Sequence, residues 1–185
     1  VNCIYNCHLK PHISQLMNKH TNICLNVILD HSRHLLNRLH DNSIDVCFSY
    51  LATNEISYKC IPYKTDEIIF VTNSQNIQFS NGIHNGEILH LPIIYSKFMP
   101  KSGFDWIHDI FPPHYVFQFT ISVIKEIIPF LLQYPYYAFL PRKLIEKELK
   151  DGLLIEIPLL DYHIPPLQSY IIMKSNAKYN PLDYF

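Results

Sequence analysis

Glycine is scarce in this chain: four residues in 185, at positions 82, 86, 103 and 152. A phosphate-cradling turn needs several glycines close together, so a nucleotide-binding loop is excluded, and no Gly-x-Ser-x-Gly nucleophile elbow is present. Basic clusters are missing too. Fifteen Lys and Arg stand against 16 Asp and Glu, the net charge is -1, and no basic run exceeds a pair. The chain therefore carries no electrostatic footprint for nucleic acid of its own. Apolar runs such as Ile127 to Leu132 are broken by proline or fall far short of the ~20 residues that a membrane-spanning helix needs, so no membrane partner is expected. A basic start followed by an apolar stretch and a small-residue cleavage site is also lacking, which makes a cytoplasmic setting the expectation. The chain opens directly in an apolar run without an initiator methionine, and it reads as a fragment whose N-terminal portion has been removed.

Cysteine is present in odd number, at 3, 7, 24, 47 and 60, without a Cys-x-x-Cys pair. Reduced thiols packed as small hydrophobes on strands are the expectation. Cys7 is the one candidate for a redox role, with no cationic neighbour in sequence to activate it. Eleven histidines raise the question of a metal, and His8 and His12 share a helical face. No carboxylate or cysteine completes a ligand set around them or around His31 and His34, so surface histidines and no metal or other cofactor are expected.

What is present is a folding pattern. A hydrophobic fraction of 48% with 17% charged residues argues against disorder, and 185 residues allow one domain or two small lobes. Val1 to Tyr5 reads as a first strand, and Leu9, Ile13, Leu16 and Met17 recur at helical spacing, with Pro11 placed in a first turn. Ile23 to Leu29, nearly all apolar and partly β-branched, reads as a buried strand covered on both faces. Ser32 is a credible N-cap for a helix carrying Leu35, Leu36 and Leu39, which Asp41-Asn42-Ser43 breaks. Val46 to Tyr50, after Ile44-Asp45, is the third strand. Strand, helix, strand, helix, strand implies right-handed crossovers into a parallel sheet, with ligands outside the carboxyl ends at Asn6, His31-Ser32 and Ser49-Tyr50.

The second half repeats that grammar without a sequence repeat. Ile68 to Val71 is a strand leaving the first sheet; Asn73 to Gly86 is a surface loop, and Leu91 to Tyr95 is a strand. A helix over 103–111 stops at Pro112-Pro113. Tyr115 to Phe119 is strand-like, and Ile121 to Leu132 presents an apolar helical face that Pro129 should kink. Tyr137 to Leu140 is a buried strand. A helix then runs to Lys150 and stops at Gly152, and Leu153 to Leu160 and Ser169 to Met173 are the last strands.

These pieces, in this order, resemble the effector-binding domain of LysR-type transcriptional regulators. The likeness rests on Leu9-Lys10-Pro11 in the first helix, a Ser-started second helix, Ile44-Asp45 at the third strand, and Asp66-Glu67 before an apolar run. Leu140-Pro141 at a strand end and Asp151-Gly152-Leu153-Leu154 after a helix complete it. Tyr134-Pro135-Tyr136 departs from the family's Gly-x-Gly, while Asn42 and Asp30 or His31 stand where glycine is common. The resemblance implies an α/β protein of two Rossmann-like lobes, of the type 2 periplasmic-binding-protein fold, with a hinge of two crossing strands. Residues 1–68 and 165–185 would form lobe I and 69–164 lobe II.

It also implies a non-enzymatic function: sensing a small-molecule effector, an organic acid or amino acid, in a cleft. Candidate effector contacts are Asn6 and Cys7 at the first turn, Ser32 and Arg33 at the second helix start, and Tyr50 at the third strand end. Ser96 and Lys97 follow a second-lobe strand, and Thr120 and Ser122 start the kinked helix. The resemblance further implies a homodimer or homotetramer, with Leu16, Met17 and the region from Ile124 to Leu132 as candidate dimer surfaces. DNA would be bound only through an N-terminal winged helix-turn-helix absent from these residues. An exported solute-binding protein of the same fold is the rival, disfavoured by the odd, reduced cysteines and the short length.

Overall fold

The computed structural model describes residues 1–20, 23–96 and 106–176. The chain divides into two compact units, Val1–Thr65 with Gln168–Phe185, and Asp66–Leu167.

The first unit begins in a helix where a strand was expected. α1 (Asn2–Ile4), a π-helical turn (Tyr5–Leu9) and α2 (Lys10–Lys19) follow one another without a break. Cys3, Ile4, Cys7 and Leu16 are buried, a spacing that suits a helix, and five apolar residues alone do not decide between the two states. Pro11 thus lies inside a continuous helix. It has no N–H for the carbonyl of Cys7 four residues back, and its ring crowds that carbonyl. The turn before it widens instead, with Lys10 N–H donating to Tyr5 O five residues away.

Ile23 to Leu29, expected as a buried strand, forms no ladder among the described residues; Leu25, Val27 and Leu29 are 37%, 43% and 44% exposed. Composition suits a strand, but pairing is what holds one, and no described strand bonds to this segment. α3 (Ser32–His40) buries Leu35 and Leu39 and has His31 at its N-cap position with no side-chain cap hydrogen bond, in place of the Ser32 cap that was expected. It ends in a Schellman motif: Asn42 N–H donates to Leu39 O at 3.3 Å and Ser43 N–H to Arg38 O at 2.8 Å. Asn42 holds φ 58°, the left-handed conformation that Asn tolerates better than most residues.

β1 (Val46–Ser49) pairs antiparallel with β8 (Leu167–Lys174), and β8 borders β2 (Tyr58–Asp66), in the order β1-β8-β2. The parallel sheet expected from the first fifty residues does not form there, because its two other strands are a helix and an unpaired segment. β1 takes its partner from the far end of the chain. Ser169 Oγ ties β8 to β2, donating to Lys64 O at 2.8 Å and accepting from Lys64 N–H at 3.2 Å. The chain leaves the first unit between Thr65 and Asp66 and returns between Leu167 and Gln168, in these two neighbouring strands.

In the second unit β3 (Ile68–Asn73) lies between β6 (Tyr137–Pro141) and β7 (Leu154–Glu156), antiparallel to both. β4 (Ile94–Ser96) and β5 (Phe119–Ile121) form a parallel pair, and a single parallel bridge from Ile93 to Tyr137 joins them to β6. Helices α4 (Asn85–Ile88) and α5 (Trp106–Ile110) accompany the strands. A 3-10 turn over Ile124–Ile127 continues into α6 (Ile128–Gln133), and a second over Arg142–Ile145 into α7 (Glu146–Lys150). Pro129 sits in the first turn of α6, where its missing N–H costs little, and marks the change from 3-10 to α. Phe70, Val71, Ile124, Ile127, Leu131, Leu140, Ile145 and Leu154 are the buried core, each stabilising the unit by about 1.5–3 kcal/mol. Gly152, at φ 67°, closes α7 in a second Schellman motif, with Leu153 N–H donating to Glu148 O at 2.9 Å.

Candidate functional site

Parallel strands present their carboxyl ends on one side, the place where ligands bind in α/β sheets. In the second unit those ends are Ser96 of β4 and Ile121 of β5, in register, with Tyr95 opposite Thr120. Ser96 is 3% exposed, and among the described residues its Oγ has no hydrogen-bond partner. A hydroxyl offers one donor and two lone pairs, and leaving a buried one unmatched costs about 1–3 kcal/mol. Thr120 and Ser122 are exposed on the same rim. Thr120 belongs to β5 and Ser122 to the bend after it, so neither starts the helix as expected. That helix begins at Ile124 with Val123 extended before it; Glu126 N–H already donates to Val123 O at 3.0 Å, and the amides of Ile124 and Lys125 precede the first helical bond. Lys97 lies outside the described residues.

Aromatic rings back this rim. Tyr95 stacks on Phe117 at 4.2 Å between centroids, and burial pushes its phenol above the ordinary range. Phe119 meets Phe130 edge-on at 4.9 Å and Tyr136 at 6.0 Å. Tyr134-Pro135-Tyr136 is thus an aromatic neighbour of β5, and its backbone is held by Thr72, whose Oγ donates to Tyr136 O at 2.8 Å.

In the first unit the structure brings Ser32 and Tyr50 together. Ser32 Oγ accepts the Tyr50 N–H at 3.1 Å, and both residues are buried. The side chain expected to cap α3 therefore anchors the turn after β1. Ser49 fixes the same turn, donating to Leu51 O at 2.9 Å and accepting Leu51 N–H at 2.8 Å. Arg33, one residue along α3, is exposed. Asn6 and Cys7 are not on a polar turn, because the strand they were to follow is helical. Asn6 Nδ2 donates to Asn2 O at 2.9 Å and to Asn2 Oδ1 at 3.0 Å, while Cys7 is buried with its Sγ 3.9 Å from that of Cys3.

Two further buried polar atoms of the second unit, Asn85 Oδ1 and Trp106 Nε1, have no hydrogen-bond partner among the described residues. No sequence signal marks them, since satisfaction of a polar atom is set by tertiary neighbours. Among the described residues no group of three or more His, Cys, Asp or Glu could hold a metal ion, and no helix is long and apolar enough to cross a membrane.

A family model described as LysR substrate binding domain matches residues 1–182. The chain belongs to this family. Solved structures of similar fold include full-length OxyR C199D from Pseudomonas aeruginosa, at TM-score 0.73 and 12% identity, covering 96% of this chain and 62% of that one. The regulatory domain of CrgA, a LysR-type transcriptional regulator from Neisseria meningitidis, aligns at TM-score 0.74 and 12% identity, covering 96% of this chain and 87% of that one. The BenM effector binding domain with its effector benzoate aligns at TM-score 0.68 and 15% identity, covering 98% and 83%. Among curated protein sequences none matches. This LysR domain has the type 2 periplasmic-binding-protein fold, and it spans 62% of the length of full-length OxyR. Its β4–β5 rim and its Ser32–Tyr50 turn are the ligand-facing candidates of the two units.

Proposed function

We propose that this LysR domain senses a small organic acid or amino acid, and does so without catalysing a reaction, as the regulatory part of a DNA-binding transcription regulator. The observation that carries this reading is the Ser96 hydroxyl, buried and without a partner among the described residues, at the carboxyl end of a parallel strand pair. Thr120, Ser122 and the amides of Ile124 and Lys125 flank the end of the neighbouring strand in sequence and offer hydrogen-bond donors, which suits a carboxylate. Ser32, Arg33 and the Tyr50 turn are the contacts proposed from the first unit, and Lys97 a further one on the second. The BenM domain, bound to benzoate, supports an effector of this size. DNA is bound, on this reading, by a winged helix-turn-helix outside these residues, in the cytoplasm. The regulator assembles as a homodimer or homotetramer, using the exposed Met17 and Leu132, since Leu16, Ile124, Ile127 and Leu131 are buried in the described fold. An effector favouring one arrangement of the lobes shifts the population by its differential affinity.

The experiment is a thermal-shift screen with benzoate, other small organic acids and the amino acids. A ligand at ~100 times its Kd adds about 2.7 kcal/mol, and for a chain of this size each kcal/mol raises the melting point by about 2–4 °C. The expected result is a shift with at least one acid that shrinks in Ser96→Ala and in Thr120→Val. No shift with any compound, or a shift unchanged in both variants, refutes the assignment.

A further inference from the structure

Cys3 and Cys7 stand one helical turn apart, with their Sγ atoms at 3.9 Å, and the effector reading uses neither sulfur. Cys3 is fully buried and Cys7 is 5% exposed, so Cys7 is the sulfur nearer to solvent. The other free cysteines offer no such arrangement. Cys24 is exposed, Cys60 is half-buried, and Cys47 lies inside β1 with burial pushing its thiol up to about 12, which holds it in the unreactive protonated form. The helix around the pair is weakened in two ways. Pro11 gives no N–H to the Cys7 carbonyl, and the Tyr5–Leu9 turn is widened to i→i+5 bonding. A turn that lacks regular bonds opens locally more readily than a regular one, and such opening uncovers Cys7 first.

We propose that Cys3 and Cys7 form a redox-modification site, a dithiol that a hydroperoxide converts into an intrahelical disulfide. The Cys7 sulfur, as thiolate, attacks the terminal oxygen of the peroxide and the O–O bond breaks. The departing oxygen leaves as water or alcohol with the proton that Cys7 released, and Cys7 keeps a hydroxyl as sulfenic acid. The Cys3 sulfur then attacks the Cys7 sulfur; the S–O bond breaks, and the hydroxyl leaves as water with the Cys3 proton. Two thiols lose two electrons and the peroxide gains them. The sulfurs must close from 3.9 Å to about 2.05 Å, a movement that local opening of the turn supplies. Thiol–disulfide exchange with an external dithiol reverses the modification.

The test uses the reduced full-length protein, titrated with hydrogen peroxide, quenched by alkylation and digested with trypsin. Lys10 is followed by Pro11, which blocks cleavage there, so one peptide ending at Lys19 carries Cys3 and Cys7 and no later cysteine. The expected product is that peptide two hydrogens lighter and unalkylated, restored by dithiothreitol, with Cys47 alkylatable throughout. In Cys3→Ser the link is lost and a dimedone-reactive sulfenic acid accumulates on Cys7. Three results overturn the proposal: both thiols fully alkylated at a peroxide dose that oxidises Cys24, a link that forms only after unfolding, or a link from Cys7 to Cys47 in place of Cys3. If Cys3→Ser does not fold, the mass of the native peptide decides alone.

Discussion

Replacing Ser96 by Ala separates a binding group from a structural one by the sign of two effects. In the ligand-free protein the hydroxyl is buried with no partner, so it carries a desolvation cost of about 1–3 kcal/mol with nothing to offset it. Removing one oxygen leaves a small void whose lost contacts are worth a few times ~0.1–0.2 kcal/mol. Ser96→Ala should therefore raise the stability of the second unit by about 1 kcal/mol, or about 2–4 °C in melting point. With effector present the same change should weaken binding. A hydrogen bond to a charged group is worth ~1.5–3 kcal/mol, which corresponds to roughly 10- to 150-fold in Kd. Trp106, the one tryptophan in the sequence, is buried in the second unit, so its fluorescence during urea unfolding reports on that unit. Calorimetric titration gives the affinity. A loss of stability greater than ~0.5 kcal/mol on Ser96→Ala would mean that the hydroxyl has a structural partner and would refute an effector contact at Ser96.

Ser32→Ala should act in the opposite sense in the ligand-free protein, because it strips the buried Tyr50 N–H of its acceptor; a loss of about 1–3 kcal/mol by urea titration is expected, and an unchanged midpoint would refute the anchoring role. Gly152→Ala should cost only the left-handed backbone term of roughly 1–2 kcal/mol, since a Cβ there meets nothing within 4 Å. Gly82→Ala should cost distinctly more, because at φ 114° its Cβ would stand 2.6 Å from Leu160 Cδ2 and 3.2 Å from Pro158 O; equal melting points for the two variants would contradict this. The exposed pair of His84 Nδ1 and Asp161 Oδ1, 2.9 Å apart, should make stability pH-dependent. Asp161 holds His84 above its ordinary value, so this contribution is present below the unfolded histidine value of about 6.5 and fades as pH rises through the folded one. His84 lowers Asp161, so its contribution is present above the unfolded aspartate value and fades as pH falls through the folded one. Relative to His84→Gln, the parent should gain most between about pH 5 and about pH 6.5, and a pH-independent difference between the two would exclude the pairing.

The fold was readable where a local rule and a tertiary partner agree. Tyr137 to Leu140 is apolar throughout and lies buried against β3, and Gly152 ends its helix with the left-handed turn that its position suggested. Asn42 does the same for α3 without being a glycine, which explains why an Asn is tolerated there. The failures share one cause. Val1 to Tyr5 and Ile23 to Leu29 were assigned from composition, and composition cannot say whether a ladder partner exists. The first segment continues into α2 as helix through the π turn that Pro11 requires; the second has strand-forming residues and no described strand beside it. Of the three early segments expected as strands, only β1 pairs among the described residues, and its partner is more than a hundred residues away in sequence, beyond the range of any local pattern.

The site was readable only as residue types at element ends. Ser32 was singled out as a cap because Ser often accepts an orphan helix amide; the oxygen does accept an amide, but from Tyr50, eighteen residues away, and not from its own helix. Cys7 was placed beside an effector by analogy of position, and once the first strand is a helix the same residue turns inward to Cys3. Ser96 is the informative contrast. Nothing in Ile94-Tyr95-Ser96 distinguishes this serine from the other hydroxyls of the chain, and its significance comes from three tertiary facts at once: burial, a parallel neighbour at its own strand end, and no partner. A buried hydroxyl beside a partner is a structural device, and an exposed one is satisfied by water. A buried hydroxyl with neither carries a cost, and that cost, sitting where a parallel pair opens, is the reason a ligand is proposed there.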